Sequence, residues 1–432
     1  MDECDIAIVG GGLVGTPLAL ALATGGRRVV LIERRAAGDG PATDPLAGES
    51  LDQRCTALSA GTTAWLDRHA LWPALSDDAC PIRTVHVSHR GRFGATRLEA
   101  AELGVDALGH VVENRAVLAA LEARLAASDV RLVTGVAVAS VEPADRWATV
   151  RYAVPTSEAA AGGGRSADGP SGHEQATGDA PEDQSRGEGA LRARLVIGVD
   201  GVDSRVRAAL GIAVRRHDYA QSAVLGAIRL ERDHRHVAHE RFTAGGPLAL
   251  LPRPGRVVSF VECAAPEEAA RIGALDDAAF LAHLQDRFGR RLGRFIETGP
   301  RGVMPLVRVE AERQVGPRTV LLGNAVRLLH PIAGQGYNLA LRDVAALVAM
   351  LDADRGARGA VAADPGDAQN LASFAAGRRA DQRRVVGLTD ALARGFRGEN
   401  AVLSHLRALA LIGLDGVPPL RRRFARAAMG MT

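Results

Sequence analysis

Three glycines, Gly10, Gly12 and Gly15, followed by an acid at Glu33, carry the most specific chemistry in the sequence. In such a pattern the first glycine allows a tight turn. The second lets the backbone approach a pyrophosphate, and the third lets a helix pack closely on the preceding strand. A diphosphate there meets free N–H groups and the positive end of a helix dipole. Glu33 follows Gly15 by 18 residues, a spacing that suits a carboxylate accepting from ribose hydroxyls. An acid at this point disfavours a 2′-phosphate, so FAD or NAD fits better here than NADP. The plain alternative is a structural glycine turn.

Two further motifs follow apolar strands. Asp200-Gly201-x-x-Ser204-x-x-Arg207 reads, by itself, as a strand-end turn with a helix N-cap at Asp203 or Ser204. Gly323-Asn324 is followed by His330-Pro331-x-x-Gly334-Gln335-Gly336-x-Asn338. The N–H groups of that loop can face an anionic or electron-rich ring; alone, it is an ordinary glycine- and proline-rich connection. An unperturbed histidine titrates near neutrality, which makes His330 a candidate for proton handling, with a packed loop histidine as the plain alternative.

These motifs need elements to position them. Asp5–Val9 reads as a buried strand, Leu13–Ala23 as a helix, and Val29–Ile32 as a strand ending at Glu33. That is a βαβ beginning. A helix is expected over 116–127, presenting Leu118, Leu121 and Leu125, with strands at 130–132 and 136–141. Residues 156–190 are rich in Gly, Ala, Ser, Glu and Asp without apolar period, which predicts a disordered insertion between two strands of one domain. Leu195–Val199 is a buried strand. Short strands from 224 to 261 separated by Gly/Pro turns predict an antiparallel sheet. A strand at 319–322 precedes the third motif. A helix is expected from Gly336 through Met350, then a loop over 354–367 and helices from Ala368 onward. The fold class is therefore α/β (α+β overall). It comprises a Rossmann-type FAD/NAD(P)-binding domain (1–80, 105–215 and 305–365), an antiparallel-sheet substrate domain (81–104 and 216–304) and C-terminal helices (366–432).

Composition narrows the function classes. The 432 residues suffice for two or three domains. With 47% hydrophobic and 24% charged residues the chain reads as soluble and globular. A net charge of +3 is too small to suggest nucleic acid. Four scattered cysteines, with no C-x-x-C pair, imply neither a disulfide framework nor a metal site. The uncharged stretch 6–26 is interrupted by glycines and preceded by acids, unlike a signal or a membrane span. The expected location is cytoplasmic. Leu403–Leu414 followed by Arg421, Arg422, Arg423 and Arg426 suggests either a peripheral contact with the inner face of the cell membrane or a docked helix with a solvated basic end.

The order of the three motifs resembles that of single-component flavin monooxygenases related to p-hydroxybenzoate hydroxylase. Within them the chain is similar to the ubiquinone-biosynthesis hydroxylases, most of all the 2-polyprenyl-6-methoxyphenol hydroxylase family. The residues that carry the resemblance are 52–59 (DQRCTALS), 109–115 (GHVVENR), 240–243 (ERFT), 246–252 (GPLALLP), 323–325, 330–339 (HPIAGQGYNL) and the tail 414–430. It implies an FAD cofactor, NADH or NADPH as co-substrate, O2, and a polyprenylated phenol as substrate. The other partners it implies are a membrane surface and other ubiquinone-biosynthesis proteins. It places Glu33, Arg34 and the first glycines on the ADP half. Arg54 and Arg115 fall on the flavin-side phosphate and ribityl region, and Asp200 and Gly201 near the pyrophosphate. Gly323 and Asn324 fall on the ribityl chain, Pro331 on the cofactor, and Gly334, Gln335, Gly336 and Asn338 along the ring edge. Asn324 stands where the wider group carries Asp, as is usual in the methoxyphenol family; an amide keeps an acceptor oxygen. Glu262-Cys263 departs from the family pattern at an expected wall of the substrate pocket. Sister hydroxylases, an isoprenoid reductase or epoxidase, and a non-catalytic flavoprotein scaffold share the fold.

Overall fold

Strands that lack polar alternation must be covered on both faces. The computed structural model, which describes residues 1–36, 54–91, 94–155, 186–243, 245–358, 364–395, 413 and 415–430, lays those strands side by side. Asp2–Val9 pairs in parallel with Val29–Glu33 on one side and with Arg186–Gly198 on the other. Arg131–Thr134 and Thr319–Leu321 extend the parallel set outward. Alternation along the first strand divides the core. Ile6 and Ile8 pack with Leu18 and Leu22 of the Gly15–Thr24 helix and with Val344 and Leu347 of the Gln335–Arg358 helix. Ala7 and Val9 face Val136, Val150 and Leu321 on the other side. The uncharged stretch 6–26 is thus strand, glycine loop and helix. No helix among the described residues is long and apolar enough to cross a membrane.

The second sheet has nine strands among the described residues. Its order runs Arg327–Leu328, Gly302–Ala311, Val214–Leu230, Val257–Ala264, Gly246–Arg253, Val237–Thr243, Thr84–His89 and Ala95–Glu99, with Phe295–Thr298 also on Val214–Leu230. It is antiparallel except where Val237–Thr243 runs parallel to Thr84–His89. One face is covered by the helices Pro266–Gly273 and Asp277–Phe288, through Val224, Leu248, Leu250, Phe260, Phe280 and Leu284. The other face turns toward the first unit.

Three expectations are corrected. Residues 186–190 belong to a strand that pairs with Ala148–Pro155, so the insertion is shorter than 156–190. Gly189 lies under the ring of Tyr152, where a Cβ would come within 2.2 Å of the ring. Glycine here serves packing, which composition disguised. Residues 156–185 lie outside the described residues. The helix begun at Gln335 continues to Arg358, through the first residues of the expected loop at 354–367. In the Asn114–Ala126 helix the buried set is Val117, Leu121 and Leu125, not Leu118. Of the segment 403–414 only Gly413 is described.

The Ala368–Gly395 helix docks on Gln335–Arg358 through a buried polar network. Arg378 Nε donates to Asp343 at 2.6 Å, and Gln382 donates to both Asp343 and Gln314. The Pro418–Ala428 helix and the residue after it place Ala425 and Met429 against Leu98, Ala100 and Leu108.

Candidate dinucleotide and ring site

The three motifs meet at the C-terminal edge of the parallel sheet, where neighbouring strands are reached by connections running in opposite senses. Ligands of open α/β sheets bind at such a point. Gly10 has φ +109, and a Cβ on it would lie 2.6 Å from the carbonyl oxygen of Val199, so the first loop is pressed against the second. A Cβ on Gly15 would fall 1.8 Å from the Gly10 carbonyl oxygen, which explains why helix and loop can be this close. Gly12 differs: nothing lies within 4 Å of its Cβ position. That open cradle, at a helix start with no acid in its first turn, fits a pyrophosphate.

Glu33 closes the cradle. One carboxylate oxygen accepts from Gly11 N–H at 2.5 Å and the other from Arg35 N–H at 3.0 Å. The carboxylate is thus fixed at the loop, where a ribose would lie. Glu33→Ala leaves the Gly11 N–H without its acceptor and would remove a carboxylate from the place a ribose would occupy. Losing a hydrogen bond to a charged group costs about 1.5–3 kcal/mol. Nucleotide affinity is expected to fall roughly ten- to hundredfold, as read by titrating cofactor into stripped protein.

The third motif joins the first through Tyr337, which was not among the expected site residues, and through Gly323, which was. Tyr337 donates its hydroxyl to the Leu13 carbonyl at 3.0 Å, tying the ring loop to the glycine loop. Gly323 has φ +59 and sits against Val14. Asn338 is buried and fully engaged: its oxygen accepts from Ser59 N–H and Thr62 Oγ1, and its nitrogen donates to Ala57 and Gly334. Asn338 therefore positions Gly334 and the Cys55–Ser59 strand. Gln335 lies half-buried with its amide 3.5 Å from the Ala428 carbonyl. Gly336 has open space at its Cβ position, whereas Pro331 and Asn324 are exposed.

Other expected residues take protein partners. Asp200 caps the next helix, accepting from Ser204 Oγ at 2.5 Å, Arg205 N–H at 2.7 Å and Val206 N–H at 3.2 Å. Its backbone nitrogen still lies beside Gly10, and Gly201 has φ +89. Ser204 is the N-cap, accepting from Arg207 N–H. Arg115 donates to Glu113 at 2.7 Å, and Glu113 also pairs with Arg253. Arg54 is half-buried at the start of the Cys55–Ser59 strand, and Arg34 is exposed beside Glu33.

The expectation that His330 titrates near neutrality is corrected. His330 is 1% exposed, its Nδ1 accepts from Ile332 N–H at 3.2 Å, and its ring meets Tyr219 edge-on at 4.9 Å. Burial pushes it down to about 4, so it is neutral wherever the protein works near pH 7. Glu262 is also corrected: it does not line the ring side of the sheet. It is 0% exposed and points into the helix layer, 2.9 Å from Arg287 Nε and 3.1 Å from His283 Nε2. Cys263 faces the other way, among Tyr219, Ala223 and Leu306. The structure also gathers Cys80, His234 and His236. Both ring nitrogens of His234 are already engaged, by His236 N–H and the Arg253 carbonyl, so this cluster reads as a strand-end packing knot.

Residues 3–361 match the FAD binding domain family. The chain is 36% identical over 426 residues to the ubiquinone hydroxylase UbiL of Rhodospirillum rubrum, covering 99% of this chain and 89% of that protein. It is 32% identical over 429 residues to the 3-demethoxyubiquinol 3-hydroxylase of Escherichia coli, covering 99% and 98%. Among solved structures, the p-nitrophenol 4-monooxygenase PnpA from Pseudomonas putida shares the fold, with TM-score 0.73 and 17% identity over 98% of this chain and 97% of that one. An open glycine cradle, a fixed acid beside it and whole-length similarity agree: the chain belongs to the FAD binding domain family and, within it, to the FAD-dependent monooxygenases related to the ubiquinone-biosynthesis hydroxylases.

Proposed function

We propose that this monooxygenase uses NADH or NADPH and O2 to hydroxylate the ring of a polyprenylated phenol, of the 2-polyprenyl-6-methoxyphenol type, in ubiquinone biosynthesis. The observation that carries this reading is a half-buried apolar row, Leu225, Val261 and Ala249, on the sheet face turned toward the third loop. Buried residues flank the row on both sides, as expected of a pocket floor and not of an outer surface. Reduced FAD supplies the activated oxygen; the chain supplies orientation, electrostatics and exclusion of water. Gly334, positioned by Asn338, and Gly336, with open space at its Cβ position, would lie along the ring edge. The names of the R. rubrum and E. coli relatives support ubiquinone precursors as the substrate class. The methoxyphenol ring position rests on Asn324 and the tail 414–430, and product analysis tests it. Cells lacking the protein are expected to accumulate the methoxyphenol precursor by mass spectrometry. An unchanged quinone profile would refute the reading, and accumulation of another precursor would move the ring position.

Peripheral membrane contact is part of the proposal. Arg422, Arg423 and Arg426 are exposed on the last helix beside exposed Val417 and Leu420, while Arg421 is held by Glu102. The basic face is free while the apolar face is docked, so charge can reach anionic headgroups without unfolding the helix. Changing Arg422, Arg423 and Arg426 together to Glu is expected to abolish sedimentation with anionic vesicles in low salt. Undiminished sedimentation would refute it.

A further inference from the structure

The pocket floor holds a carboxylate that has no partner among the described residues. Glu240 lies in the Val237–Thr243 strand, opposite Ala249 on one side and Val87 on the other. Ala249 lies opposite Val261, and Val261 opposite Leu225. Residues in register share a face, so Glu240 stands on the floor described above. Two contacts pin this face to the dinucleotide unit. On one side of the row Ser259 donates to Cys55 at 3.2 Å. On the other, Tyr219, which packs with Cys263, meets His330. Ser259 and Cys263 lie two residues before and after Val261, so the Glu240 row spans the gap between the contacts.

Glu240 is half-buried and has no hydrogen-bond or ion-pair partner among the described residues. Its strand neighbours Val87 and Ala249 are apolar. The titratable group that feels its charge is the Cys263 thiol, itself pushed up by burial. Cys55 lies one row away, and His330 stands behind Tyr219 and is neutral. Arg241, on the opposite face, donates to the Arg287 carbonyl. A carboxylate in apolar surroundings without a stabilising partner is costly unless a ligand completes it.

We propose that Glu240 is the base that takes the phenolic proton of the ring substrate. This rests on the hydroxylase reading above. The substrate O–H bond breaks, its electron pair stays on the ring oxygen, and the proton passes to the Glu240 carboxylate. The phenolate directs electron density to the ring carbon that receives oxygen. Once that carbon has been oxygenated, it loses its own proton to water and Glu240 returns a proton to the ring oxygen. Burial pushes the Glu240 carboxyl up to about 7, near the operating pH favoured for a general base.

The test uses full-length holoprotein with a 2-methoxyphenol probe and the prenylated substrate. Glu240→Gln is expected to keep its FAD absorbance and lose hydroxylation by roughly 10²- to 10⁴-fold. The limb of the wild-type kcat/KM profile near pH 7 should disappear, and Glu240→Asp should restore part of the rate. Folding is not expected to suffer. A carboxyl held at about 7 in the fold, against 4.5 in the open chain, loses stability as pH rises through that window, and Gln does not. Should Glu240→Gln lose its flavin, the wild-type profile decides: kcat/KM falling as pH drops below about 7 is expected, because the carboxylate is then protonated, and a profile flat through that range would overturn the proposal. Wild-type and Glu240→Gln proteins that hydroxylate equally, with the same pH profile, would overturn the role of Glu240 alone. A wild type that forms no hydroxylated ring product would overturn the hydroxylase reading itself.

Discussion

Gly15→Ala is expected to yield a destabilised, colourless protein, whereas Gly12→Ala should fold normally and bind FAD weakly. The difference lies in what a single methyl group would meet. On Gly15 it would fall 1.8 Å from the Gly10 carbonyl oxygen and 2.9 Å from Val199 Cγ2, one of them rigid backbone. The helix would have to move off the strand, at a cost of about 1–3 kcal/mol or more for overpacking, and its N-terminus would leave the pyrophosphate. On Gly12 the methyl would meet no protein atom within 4 Å and would occupy the cradle itself. At least a tenfold loss of FAD affinity is expected there, about 1.4 kcal/mol. Flavin absorbance per protein and the denaturation midpoint check both variants. Full flavin in Gly12→Ala would show that the pyrophosphate lies elsewhere.

The second large effect is expected at Glu262. Arg287→Met leaves a fully buried carboxylate facing only His283, and removing one partner of a buried pair costs about 3–5 kcal/mol. Replacing both groups, Glu262→Leu with Arg287→Met, should recover most of that loss, because a buried pair is often worth little more than the apolar contacts that replace it. Urea midpoints of the single and double variants measure this. A double variant no better than Arg287→Met would show that the pair is not the source of the cost. The site lies on the helix side of the sheet, so FAD content should be unchanged.

What was legible in the sequence was local. Gly10, Gly12, Gly15 and Glu33 are read from spacing alone because one strand, one turn and one helix determine where they go. Ser204 is an N-cap for the same reason. What was not legible depends on pairing between distant segments. The strand at 186–190 owes its form to its register with 151–155, and its glycines made it look like linker. Glu262 and Cys263 are neighbours in sequence but point to opposite faces of a strand. The resemblance placed both in one wall, and the pairing of Val257–Ala264 separates them. His330 kept its place in the ring loop but lost its expected charge change, because burial depends on Tyr219, more than a hundred residues away. Glu240 belonged to a segment that drew notice by resemblance, yet its position on the pocket floor becomes visible only through the register of five strands. Asp200 shows the reverse: a motif acid whose carboxylate is spent on the helix that follows it.

Turnover under ¹⁸O2 tests the central claim most directly. Purified protein supplied with FAD, NADPH or NADH and the prenylated phenol is expected to place one ¹⁸O atom on the ring of each product molecule, read by mass spectrometry. A product whose new oxygen comes from water, or cofactor oxidation with peroxide and no ring product, would contradict the account.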